Sequence, residues 1–299
     1  MRLNLVALAA VAGLIVLSGC AGLSQIQTPL KQFDQSAHSL ASSEGTFIQA
    51  IRTADCNSQF YQAAFNYSRG QGKLPSLNGD CKPTILSDND IKLRLDSLSA
   101  LTAYADKLQA LAAGTNTPLD TSTQTIATDL NKKFSTPHGA SATVETAIIE
   151  LTNIILDQSR FSDVKTAAKA ASPAIKTIAD DLNVENTAFS TGIESKLFST
   201  ENAFNGALNE QKLGPARFFD SITARDLIIS ANPFSNTQGR PTGQASADSA
   251  AQKLNMALDA LVKANDALAN ADTGGIVATV NNLVTRVKDA QTIHATLSK

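Results

Sequence analysis

Tryptophan is absent from the 299 residues, and aromatic side chains make up only 5% of them. Ligand pockets and tight interfaces lean on aromatic anchors, so this composition argues against a deep hydrophobic binding site. Charge is scarce as well, at 17%, with 25 Lys and Arg against 27 Asp and Glu. Gripping a polyanion takes a surplus of cations to displace its counterions, so nucleic acid is not an expected partner. Histidine occurs three times, at His38, His138 and His294. None follows a glutamate by three positions and none belongs to a His-Glu-x-x-His run, so the local di-iron and zinc-hydrolase signatures are missing. There is no Cys-x-x-Cys and no Gly-x-Ser-x-Gly. The sequence therefore offers no catalytic residue, no cofactor site and no metal-ligand set, and a non-enzymatic protein is expected. Beyond residue 16, no uninterrupted apolar run approaches the roughly 20 residues a membrane-spanning helix needs.

What is present begins at the N-terminus. Met1 and Arg2 give a short positive start, and Leu3 to Val16 is apolar apart from Asn4 and the small Gly13. This has the length and flanks of a secretory h-region. It ends in Leu17-Ser18-Gly19-Cys20, which resembles the lipobox of a bacterial lipoprotein. The resemblance implies a signal peptide over residues 1–19. It also implies that Cys20 carries lipid, palmitate included, as first residue of the mature chain. Residues 20–29 would then be anchor and tether. Several acyl chains hold a protein stably to a bilayer where one does not. Ala21 rather than Asp follows the cysteine, which by the sorting rule of such lipoproteins implies the outer membrane, with the body facing the periplasm. With Cys20 committed to lipid, Cys56 and Cys81 remain, and in an exported protein such a pair is most simply a disulfide. Closing that loop stabilises by about 3–4 kcal/mol in the chain-entropy description.

Residues 30–299 read as all-α, an elongated antiparallel bundle of long heptad-patterned helices. Leu30, Phe33, Ala37, Leu40, Glu44, Phe47, Ile51, Ala54, Ser58, Tyr61 and Phe65 alternate spacings of three and four, predicting one long helix. Cys56 falls opposite this seam, so the loop 70–87 carrying Cys81 should clasp the helix from outside. Within that loop, Gly70-Gln71-Gly72-Lys73 lacks the rest of a phosphate loop and reads as a plain turn. Ser87-Asp88-Asn89-Asp90 supplies capping groups for a second helix with the stripe Ile91, Leu95, Leu98, Leu101, Ala105, Leu108 and Ala112. A shorter helix is expected to end near Phe134. The apolar run from Val144 to Leu156 could be a buried strand, but the 144, 148, 151, 155 spacing and the Ala-rich continuation to Ala171 favour a helix. Ser172-Pro173 either restarts that helix or kinks it.

Residues 231–246 form the clearest long loop, with Phe234 as its apolar residue. Two further helices follow. Ala247, Ala251, Leu254, Leu258, Leu261, Asn265 and Leu268 mark one. Ile276, Val280, Leu283, Val287, Ala290, His294 and Leu297 mark the other, after a turn at Asp272-Thr273-Gly274-Gly275. Two polar residues sit in seams. Asn265 is placed to fix helix register. Glu44 either pairs with a basic group on a neighbouring helix or marks a wet spot. Asp180, Asp181 and Glu185 read as a solvated helix edge, and His38 as outward-facing. His138 lies in a turn, and His294 suits packing or capping.

The function expected from this pattern is a membrane-tethered binding or scaffold module for another cell-envelope protein. Two alternatives come from other classes: a helical bundle that acts on membranes, and a small-ligand carrier or enzyme with a pocket at a bundle end.

Overall fold

The computed structural model describes residues 4–68, 81–82, 84–113, 121–134, 142–157, 163–209 and 247–297. Among these the protein is an all-α helical bundle without strands. Its helices are α1 (Asn4–Ser68), α2 (Asp88–Ala112), α3 (Thr121–Lys133), α4 (Ala142–Leu156), α5 (Val164–Asn209), α6 (Ala247–Asn270) and α7 (Thr273–Leu297). The chain divides into two compact units. The first comprises Met1–Ser39, Asp96–Ala179 and Leu258–Val287, and the second Leu40–Leu95, Asp180–Ala257 and Lys288–Lys299. Each unit uses stretches of the five long helices, and α3 and α4 belong to the first.

In the first unit, Leu30 and Phe33 of α1 are buried, as are Leu101 and Leu108 of α2 and Ile148 and Leu151 of α4. The α5 contribution is mostly alanine (Ala167, Ala168, Ala171, Ala174), which lets neighbouring backbones approach closely. In the second unit, Phe47, Ile48 and Ile51 of α1, Leu182 and Ile193 of α5, and Leu254 of α6 form the core. Burying each such large side chain contributes roughly 1.5–3 kcal/mol. The seams expected from α1, α4, α6 and α7 are buried wherever their side chains are described.

The helix ends follow local chemistry. Ser87 caps α2: its hydroxyl accepts from the Asp90 N–H (3.1 Å) while the Asp90 carboxylate accepts from the Ser87 N–H (3.0 Å), a reciprocal box. Asp272 caps α7, accepting from the Gly275 N–H at 2.8 Å. A Cβ on Gly275 would lie 2.9 Å from that of Ala271, so this tight reversal requires glycine. Residues 20–29, expected as anchor and tether, are helical within α1, which takes in Pro29. Gln27 there donates to the carbonyl of Ala112 (3.3 Å), satisfying one of the free acceptors that end α2.

Four expectations are corrected. Leu95 is 41% exposed, and Arg94 takes the buried turn of α2 instead. The run from Val144 does not continue to Ala171: α4 stops at Leu156 and α5 begins anew after Asp163, whose carboxylate accepts from the Thr166 N–H at 2.8 Å. Of the two readings of Ser172-Pro173, the restart of the helix is not what forms. Ser172 sits inside α5, with its hydroxyl 3.1 Å from the carbonyl of Ala168, and the helix continues through Pro173. Glu185 is not part of a solvated edge, as described below. Gly70 to Lys73, His138, Phe234 and the loop 231–246 lie outside the described residues.

Candidate functional site

Arg94 is the largest fully buried side chain among the described residues. It stands one turn after Ile91 and one before Leu98, so the α2 seam carries it inward. Its Nη2 donates to the carbonyl of Leu182 (3.2 Å) and to Oδ1 of Asn186 (3.0 Å) on α5. Its Nε lies 2.5 Å from Glu185 Oε2 as an ion pair, though neither Nε nor Nη1 has an aligned hydrogen bond. The guanidinium also stacks over Phe189, 4.6 Å from the ring centre. Asn186 in turn donates to Glu44 Oε1 of α1 (2.8 Å) and to Asn255 of α6 (3.1 Å). Four helices thus meet at one polar layer in the second unit.

The layer is electrostatically uneven. Glu44 is fully buried, and its Oε2 has no hydrogen-bond partner. Burial pushes its carboxyl up to about 7, against the pull of Arg94 and the Asn186 hydrogen bond. Burial also raises Glu185 and Asp181, each opposed by Arg94. One guanidinium therefore serves three carboxyl groups, of which only Glu44 is fully removed from water, and burial lets Glu44 keep its proton up to near neutrality. The sequence flagged Glu44 correctly as out of place and left its partner unnamed.

The first unit contains a different layer. The Tyr104 hydroxyl of α2 donates to Asn265 Oδ1 of α6 at 2.6 Å. Asn265 Nδ2 donates to the carbonyl of Ala168 (3.2 Å) and to Ser172 Oγ (2.9 Å) on α5. Burial lifts the Tyr104 phenol well above its ordinary range, so it remains a donor. The buried members of this network are neutral, and it ends at an exposed charge, since Ser172 Oγ donates to the Asp266 carboxylate at 2.9 Å. Asn265, from its seam position, joins three helices.

Cys56 and Cys81 form a disulfide, with Cα atoms 5.5 Å apart. The neighbouring Asp55 strengthens the clasp. Its carboxylate accepts from the backbone N–H groups of Thr84 (2.6 Å) and Ile85 (3.1 Å), from Gln59 (3.0 Å) and from Lys196 of α5 (2.5 Å). Burial alone would raise its pKa, but Lys196 and these hydrogen bonds hold it down at about 2. Gln59 also donates to the carbonyl of Lys82 (3.0 Å). The returning chain is therefore bound to α1 by one covalent and several polar links.

Asp34 and His38 of α1 face Asp106 of α2, with His38 Nε2 2.9 Å from Asp106 Oδ1 and 3.6 Å from Asp34 Oδ1. Burial and the neighbouring Asp106 raise the Asp34 carboxyl to about 6, with His38 pulling it down. His38 is half exposed as expected, but nothing in the local sequence announced its partner on α2. An open groove of about 660 Å³, lined by residues such as Asn131, Glu150, Asn153 and Asp157, runs along α3, α4 and α5. Cys20 falls within α1, and its side chain, like that of His294, lies outside the described residues.

No protein-family model, no curated protein and no solved structure matches this chain.

Proposed function

We propose that this protein is a lipid-anchored helical adaptor of the bacterial cell envelope. Cys20 tethers it to the outer membrane, and the helical body in the periplasm engages another envelope protein without catalysis. The observation that carries the reading is the tetrad Leu17-Ser18-Gly19-Cys20 behind a basic start and a short apolar run. Two structural facts support it. The Cys56–Cys81 disulfide suits an oxidising, exported location. The buried polar groups of Arg94, Asn186, Tyr104 and Asn265 are spent on joining helices to one another. A membrane-acting role draws no support from the helices, since none among the described residues is long and apolar enough to cross a bilayer.

The test is crosslinking in intact host cells followed by solubilisation of the envelope. A specific envelope protein should be recovered with the wild type and lost when residues 231–246 are deleted. Recovery of bulk membrane proteins alone contradicts the adaptor reading. The groove along α3 and α4 motivates the second reading, a small-ligand carrier. Co-purification of a defined small molecule, lost in Asn153→Trp, would favour it over the adaptor.

A further inference from the structure

Asp34 and His38 are four residues apart on α1, so they share one side of the helix. Asp106 faces them from α2. One ligand-capable atom of each of the three residues lies within 4.8 Å of the other two. A tetrahedral ion bound at about 2.0–2.2 Å holds its ligand atoms about 3.4 Å apart, so side-chain adjustments of about 1 Å close the site. The histidine contacts at 2.9 and 3.6 Å already bracket that spacing.

An independent observation points to a cation. Asp34 is only 9% exposed, and its Oδ1, the atom facing His38, is buried without a hydrogen bond. The 3.6 Å contact with His38 is too long for a hydrogen bond, so it only partly offsets the hydration that this oxygen loses. A bound cation would satisfy it, and would also neutralise the two carboxylates that face each other across the site. Asp106 is oriented for this role, because Thr123 Oγ1 donates to its Oδ2 at 2.9 Å and leaves Oδ1 directed at the cluster. Such an outer hydrogen bond is the usual means of aiming a metal-binding carboxylate. His38 keeps about half of its side chain in solvent, which provides an entry path and room for water.

We propose that Asp34, His38 and Asp106 bind one divalent transition-metal ion of the zinc class, with water completing the coordination. The imidazole nitrogen favours such an ion over magnesium or calcium, which prefer all-oxygen sites. Bound metal links α1 to α2 within the first unit and leaves a coordination position open for a ligand.

The proposal is tested on the full chain in mild detergent, chelator-treated and with free thiols blocked. Zn2+ is titrated by calorimetry, and Co2+ by its visible d–d absorption. One equivalent per chain should bind, and Zn2+ should displace Co2+. His38→Ala should weaken binding at least about 100-fold, while His138→Ala and His294→Ala leave it unchanged. Asp34→Asn separates binding from folding. It removes a buried carboxylate, so the metal-free protein should melt at the same temperature or higher, while the Zn2+-induced rise in Tm disappears. Absence of saturable uptake, or unchanged uptake in His38→Ala or Asp34→Asn, would overturn the proposal and leave His38–Asp106 as an ordinary ion pair.

Discussion

In the first unit, the polar contact joining α2, α5 and α6 is neutral where it is buried: the Tyr104 hydroxyl and Asn265 amide find partners, and the one charge it touches, Asp266 beyond Ser172, is exposed. In the second unit, the layer joining α1, α2, α5 and α6 is ionic, with Arg94 set among Glu44, Glu185 and Asp181. Both devices tie helices together in one register. They differ in how they respond to change. A satisfied neutral network is indifferent to pH, and losing one member costs one hydrogen bond. A buried ionic layer depends on its single cation, and its balance shifts with protons. The helix-joining layer of the second unit is therefore the one whose balance depends on protons, while the titrating group of the first unit, Asp34, stands apart from the Tyr104–Asn265 layer; the disulfide and the Asp55 clasp belong to the second unit.

The largest expected effect comes from removing the cation. Arg94→Ala should destabilise by about 3–5 kcal/mol, because it leaves the Leu182 carbonyl and Asn186 without their buried donor and the half-buried Glu185 without its ion pair. The midpoint of urea unfolding checks this. Adding Glu185→Ala should restore part of the loss, and strict additivity of the two changes would show that the pair is not coupled.

Next in size is the disulfide. Cys56→Ala with Cys81→Ala should cost about 3–4 kcal/mol by freeing the unfolded chain. Hydrogen exchange should rise around residues 81–95 of the second unit and leave the Tyr104–Asn265 layer protected. A uniform loss of protection in both units would erase the proposed contrast.

Protonation of Glu44 gives the third prediction. Its carboxyl is raised from 4.5 in the unfolded chain to about 7 in the fold. Below pH 4.5 it is neutral in both states, and its contribution to stability is fully present. As pH rises, the unfolded chain ionises first, and the contribution is lost through pH 7, on the order of 3 kcal/mol in all. Glu44→Gln should flatten this part of the stability-versus-pH curve. Asp55 has the opposite sign in a separate window. Its depressed pKa of about 2 contributes stability above 3.8 that is lost as pH falls toward 2. Asp34, raised to about 6, acts in the direction of Glu44 and should remain visible in Glu44→Gln.

The smallest effect belongs to the neutral layer. Tyr104→Phe leaves Asn265 Oδ1 without its donor and should cost about 1–2 kcal/mol, equally at pH 5 and pH 8. A pH-dependent loss, followed by chemical denaturation, would mean that the exposed Asp266 charge acts on the layer through Ser172 and Asn265.

The helices were legible because their cores repeat every three or four residues, and burial follows that period from Leu30 through Ala54 and from Ala247 through Leu268. Glu44 and Asn265 were legible as polar residues standing in apolar registers. Arg94 was not, since the adjacent Leu95 satisfies the same pattern by composition and the better-placed turn went to the charged residue. Its partner Asn186 lies 92 residues away, a separation no local pattern encodes. The same holds for His38 and Asp106, 68 residues apart. Their meeting depends on how α1 and α2 pack, which periodicity predicts as a face and not as a pairwise contact. The break between α4 and α5 was missed because an alanine-rich sequence after an apolar run favours helix throughout. The signal that decides it is the Asp163 cap.

The functional reading rests on Cys20, and labelled palmitate fed to the producing bacterium tests it most directly. Label should be incorporated into the wild-type protein and be lost completely in Cys20→Ala. Label retained in Cys20→Ala, or absent from the wild type, would contradict the anchor and the adaptor reading built on it.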